Sequence, residues 1–161
     1  MLAGVAPPAR LMFEVLQRSE LIAQLSVAWM PTMLRLDPNR FIDLLWAHAP
    51  ARDKAILRVP EIRSMMIASY QEGSRQGMQA VVSDLAVSVR PWGAWIEEVR
   101  GRVRLWYGDA DRLATPNMGK HLADIIPDAC LTIWPHQGHL VVWDAWDEIM
   151  AYLAEPKPDA H

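Results

Sequence analysis

Val103-Arg104-Leu105-Trp106-Tyr107-Gly108-Asp109-Ala110-Asp111, and further on Ala129-Cys130-Leu131-Thr132-Ile133-Trp134-Pro135-His136-Gln137-Gly138-His139, decide the fold. Val103–Tyr107 is a short β-prone run closed by Gly108-Asp109, and Ala129–Trp134 is a second one closed by Pro135. Between them Pro116 to Ile126 carries helical spacing, with Met118, Leu122, Ile125 and Ile126 apolar. A strand–helix–strand passage of this kind is a crossover unit with parallel strands, which end at the same edge of the sheet. Asp111 falls four residues after the first run and His139 five after the second, 28 positions apart. Both therefore belong to loops at the carboxyl edge, where open α/β sheets place their ligands. The expectation is an aspartate and an imidazole roughly 2.6–3.5 Å apart, the pairing that orients a general base.

The chain changes character near residue 98. Before it the apolar spacing is helical: Leu11, Met12, Val15 and Leu16 on one face of Ala9–Arg18, then Leu21, Leu25, Ala28 and Trp29, with Pro31 forcing a kink or break. Asp37-Pro38 reads as an N-cap followed by proline, opening a helix with Phe41, Leu44, Leu45 and Trp46 on its apolar side. A shorter piece follows from Pro50 to Val59. Pro60 opens a helix carrying Ile62, Met65, Met66, Ser69 and Tyr70, and another runs from Met78 to about Val89. After the second β-prone run, Trp143 to Leu153 predicts a final helix with Trp146, Ile149, Met150 and Leu153 on one side. The organisation is thus a helical region at 1–98, a strand-bearing region at 99–154, and a proline-containing tail at 155–161 that should be disordered.

Composition narrows the function class. Apolar residues make up 52%, charged residues 22%, and the net charge is −3, with no basic excess to suit a nucleic acid. No stretch reaches the roughly 18 apolar residues of a membrane span, and the N-terminus lacks the pattern of a signal peptide, so the cytoplasm is the expected location. Cys130, the single cysteine, excludes an internal disulfide and reads as a small core residue. The histidines are too scattered for a metal site, and no glycine-rich phosphate loop is present, so no cofactor or metal is expected. Eight tryptophans and nine methionines suit a well-filled core or an adaptable apolar pocket.

Gly108, Asp111 and Pro116, then Gly138 and His139, give the chain a resemblance to the C-terminal end of the α/β-hydrolase fold. There a Gly-x-x-Asp-x-x-x-x-Pro segment supplies the acid of a catalytic triad and a Gly-His pair supplies its base. Leu105-Trp106-Tyr107-Gly108 and Trp146-Asp147-Glu148-Ile149 resemble the usual flanks. The helical region is similar to the cap such enzymes insert before the acid strand, and Pro91-Trp92-Gly93 to the return from cap to core. The resemblance implies an α/β fold: a helical cap followed by the last two parallel strands of an incomplete sheet. It implies Asp111 and His139 as catalytic residues acting on a small apolar ester, amide or related substrate, with no cofactor.

The nucleophile of that family occupies a Gly-x-Ser-x-Gly turn. Here the only glycines four apart, Gly73 and Gly77, enclose Arg75, and neither Ser69, Ser74 nor Ser83 has the required flanks. The sequence therefore predicts an enzyme half without its nucleophile, its partner an N-terminal core fragment or a second copy through self-association. The alternative is a non-catalytic interaction module derived from the same fold. Two parallel strands alone make a marginal sheet. The resemblance implies that Val103–Tyr107 pairs with Ala129–Trp134 on one side and with a strand preceding the cap on the other. Without that strand it should present an unpaired edge, with Leu105 and Trp106 incompletely covered.

Overall fold

Proline sets where the helices begin. The computed structural model describes residues 4–89 and 93–155, and five of its helices carry proline in their first two positions. Proline lacks the N–H that a helix start leaves unused, and its fixed φ suits the first turn. The helical region comprises α1 (Pro7–Arg18), α2 (Glu20–Val27), α3 (Met30–Leu36), α4 (Pro38–Leu45), α5 (Ala51–Ile56), α6 (Pro60–Gly73) and α7 (Met78–Val89). Pro31 breaks rather than kinks, separating α2 from α3. Asp37 caps α4 as expected, its Oδ1 accepting from the Arg40 N–H at 3.0 Å.

Two cores lie in this region. Leu16, Ala23, Val27, Val82 and Ala86 join α1, α2 and α7. Leu34, Phe41, Ile42, Ile56 and Leu57 join α3, α4 and α5, with Met66, Ile67 and Tyr70 of α6 packed against them. The apolar side of α4 differs from the expected one. Ile42 shares the buried face with Phe41, whereas Leu44 and Leu45 are exposed. Leu44 lies about 140° round the helix from the middle of the Phe41–Ile42–Trp46 arc, and Leu45 ends the helix. Met65 of α6 is exposed for the same kind of reason, since Ile62, Met66 and Tyr70 take the inner stripe.

The strand-bearing region is a mixed α/β unit: β1 (Val103–Gly108), α8 (Pro116–Ile125), β2 (Ala129–Trp134), a 3-10 turn at Val141–Trp143, and α9 (Trp146–Ala154). β1 and β2 pair in parallel, with Val103 opposite Ala129 and Gly108 opposite Trp134. Tyr107 packs on α8, where a Cβ at Gly119 would strike its ring at 2.7 Å. On the other face Trp106 stacks edge-on with Tyr152 of α9 at 5.8 Å and donates to Glu148. The last helix starts later than expected, at Trp146, because Val141–Trp143 winds more tightly first. None of its residues is buried, and Trp146, Met150 and Leu153 are exposed.

Parallel strands are normally covered on both faces and paired on both sides. Here the only buried strand residue is Gly108, and among the described residues each strand has a single partner. Leu105 and Trp106 are half-buried, matching the incomplete cover expected of them. Cys130 is exposed instead of lying in a core, because it shares a sheet face with its register partner, the exposed Arg104. Pro91 and Trp92, and residues 156–161 of the tail, lie outside the described residues. No described helix is long and apolar enough to cross a membrane.

Candidate functional site

The two loops after β1 and β2 are tied to each other before any side chain is considered. The Asp109 N–H donates to the Trp134 carbonyl at 3.0 Å, extending the ladder, and the Ala110 N–H donates to the Gln137 carbonyl at 2.9 Å. Gly108 makes this approach possible, since a Cβ there would overlap the Gln137 carbonyl. His136 holds the turn in a left-handed conformation, φ 61°, which is unusual for a side chain with a Cβ.

Asp111 and His139 meet in this frame. His139 Nδ1 lies 2.9 Å from Asp111 Oδ2. The other oxygen, Oδ1, accepts from the backbone N–H groups of Leu113 at 2.7 Å and Ala114 at 3.0 Å. The carboxylate is 6% exposed and its orientation is fixed from both sides. With Nδ1–H donating to a carboxylate, the imidazole carries its lone pair on Nε2. The hydrogen bond to Asp111 raises the His139 pKa above the ordinary histidine value. Burial opposes that shift, and the charges of Asp111 and Asp53 reinforce it. Burial pushes up the Tyr107 hydroxyl, one strand residue before Gly108, and the Asp111 charge adds to the effect.

Asp109, the other acid of the Gly-Asp-x-Asp turn, neither holds the ring nor caps α8. The residue before that helix is Thr115, which makes no side-chain capping bond. Asp109 is exposed at the rim of a cavity of about 560 Å³ beside Asp111. His48, Arg112 and Asn117 also line it, together with Ala49, Pro50 and Pro116, so its wall mixes polar and apolar surface. Among the described residues, the methionines and tryptophans of the helical region do not line this space. Several pack the cores, while Trp29, Trp95 and Met65 are exposed.

Sequence reasoning missed Asp53. It sits in α5, fully buried, among residues of the helical region. Its Oδ2 accepts from the His139 N–H at 2.9 Å and its Oδ1 from the Leu140 N–H at 3.2 Å. Gly138 lies against the carboxylate so closely that a Cβ there would fall within 3.0 Å of its three terminal atoms. The Gly-His pair thus has a local cause: glycine admits a carboxylate against the backbone. Burial raises the Asp53 pKa, and the two backbone hydrogen bonds oppose the shift. A signal was present in the sequence, since Asp53 lies three and four residues before Ile56 and Leu57 and so on the apolar stripe of its helix.

Other contacts join the same loop to the helices. Leu140 enters the core of Phe41, Ile42 and Ile56. Trp46 sets its ring 6.3 Å from the imidazole, tilted by 38°. Arg52 forms a forked ion pair with Asp144, its Nε 2.8 Å from Oδ2, which lowers the Asp144 pKa. Among the described residues no serine or cysteine side chain is hydrogen-bonded to the pair. Arg75, between Gly73 and Gly77, is an exposed partner of Glu72, and the Ser74 hydroxyl donates to the Tyr70 carbonyl at the end of α6. Among the described residues no three metal-ligating side chains cluster. No protein-family model, curated protein or solved structure matches this chain.

Proposed function

We propose that the chain is the cap and C-terminal core of an α/β-hydrolase, contributing the acid and the base of a Ser-Asp-His triad. The observation that supports this reading most is the Asp111–His139 pair, with the carboxylate locked by two backbone donors and Nε2 left to accept. The serine comes from sequence outside these residues, in the same reading frame or on a second chain. His139 Nε2 takes the serine proton as its oxygen attacks a carbonyl carbon, then returns the proton to the leaving group. Asp111 keeps the tautomer and stabilises the imidazolium that forms between those steps. The substrate class is a small ester, amide or related compound, with the Trp46 side of the helical region as its apolar wall. The incompletely covered sheet and its free edges support the view that further strands complete the core.

The exposed apolar residues of the helical region favour a second reading, an interaction module that retains the pair without catalysis. One experiment separates the two. The tagged native protein, with whatever associates with it, is treated with a fluorophosphonate that labels activated serines. Under the hydrolase reading a serine in the purified assembly is labelled, and His139→Ala abolishes the labelling. Absence of any His139-dependent labelling, with the tagged chain intact, contradicts it.

A further inference from the structure

Asp53 is a buried carboxylate that the proposed proton transfer does not use. Its two oxygens are spent on two consecutive backbone N–H groups, those of His139 and Leu140, donated from a loop 86 and 87 positions away in sequence. A buried carboxylate is costly unless its charge is compensated. Neighbouring cations do not compensate it directly. Arg52, beside it in α5, is turned to Asp144, and Lys54 donates to the Ala47 carbonyl at 2.6 Å. The charged groups whose fields reach Asp53 are Asp111 and His139. One repels it, and the other attracts it only when protonated.

We propose that Asp53 is a positioning residue for His139, a carboxylate from the helical layer that clamps the backbone of the base's loop and favours the protonated imidazole. The inference rests on the reading of His139 as a general base. The clamp acts by geometry: fixing the amides of residues 139 and 140 fixes where the histidine Cβ leaves the chain, and hence whether Nδ1 meets Asp111. The charge acts differentially. Neutral imidazole gains little from Asp53, whereas imidazolium gains an attraction inside a site of reduced dielectric. That is the form in which charge develops during the reaction. The same residue thereby makes the base depend on the helical layer being seated, because α5 carries the clamp.

The test is a titration of His139 by NMR in the isotopically labelled full chain, wild type and Asp53→Asn. The amide replacement keeps the shape, removes the charge and turns one acceptor into a donor. The expected result is a raised His139 midpoint in the wild type that falls in Asp53→Asn. The amides of His139 and Leu140 should exchange at least about tenfold faster in the variant, the effect of losing a charge-assisted hydrogen bond. A folded Asp53→Asn with the midpoint unmoved overturns the proposal, because a merely structural role would loosen the amides and leave the midpoint where it was. Should the variant not fold, the wild type still decides. The His139 and Leu140 amide shifts must follow the titration of the Asp53 carboxyl carbon, and independence from it overturns the clamp. A wild-type His139 midpoint at the ordinary histidine value sinks the Asp111–His139 reading itself, which separates the two failures.

Discussion

Gly138→Ala is the sharpest perturbation the site offers. Gly138 does not have positive φ, so alanine meets no backbone strain there. What it meets is Asp53: the new Cβ falls within 3.0 Å of the carboxylate carbon and both oxygens. Asp53 cannot swing into solvent, being fully buried, so α5 and the loop must separate or the carboxylate must lose its donors. Losing hydrogen bonds to a buried charge costs about 3–5 kcal/mol. For a chain of this size that lowers the melting temperature by about 6–20 °C. Thermal unfolding followed by circular dichroism measures it. The cause is isolated by repeating the substitution in an Asp53→Ser background, where the smaller side chain leaves room for the methyl. The two changes should then couple by about 1–3 kcal/mol. A Gly138→Ala protein within about 0.5 kcal/mol of wild type, or strict additivity with Asp53→Ser, refutes the account of the Gly-His pair.

Three further outcomes follow from the same contacts. Asp111→Asn should cost about 1–2 kcal/mol at pH 6, the low end of a charged hydrogen bond because the His139 side chain is 39% exposed. His139 binds its proton more tightly folded than unfolded, so this stabilisation is whole below about pH 6.5 and fades as pH rises through the raised folded value. Urea unfolding at pH 6 and pH 9 should show the larger loss at pH 6, and the reverse order is the contrary result. Gly119→Val drives a side chain into the Tyr107 ring and should destabilise by about 1–3 kcal/mol, read from the denaturant midpoint. The chain by itself should bind hydrophobic dyes and elute above 18.2 kDa on size exclusion, because Leu21, Ile22, Leu25 and Trp29 are exposed and the two-stranded sheet has open edges. A sharp monomer without dye binding contradicts this.

The strand–helix–strand passage was legible because each signal was local. Two β-prone runs, a proline-opened helix and turn residues at both strand ends fix the topology, and topology places Asp111 and His139 at one edge. The helix starts at Pro38, Pro60 and Pro116 were legible for the same reason. The facing of α4 and α9 was not, since which stripe is buried depends on what covers it. Leu44 and Leu153 are exposed, although their spacing is that of a core helix. Cys130 was misplaced by the same omission, an apolar run being read as covered. Asp53 was hidden for a different reason. Its partners are backbone amides more than 80 residues away, and backbone donors leave no trace in a sequence. Its one visible mark was a charge on an apolar stripe.

The central claim is that His139 is a base held ready by Asp111, and the nitrogen resonances of its ring test that most directly. In the labelled full chain at a pH above its midpoint, the neutral ring should carry its proton on Nδ1 with Nε2 bare, and the midpoint should lie above the ordinary histidine value. In Asp111→Asn the midpoint should fall and the preference for the Nδ1 proton should be lost. A neutral ring protonated on Nε2 in the wild type, with an unshifted midpoint, contradicts the account.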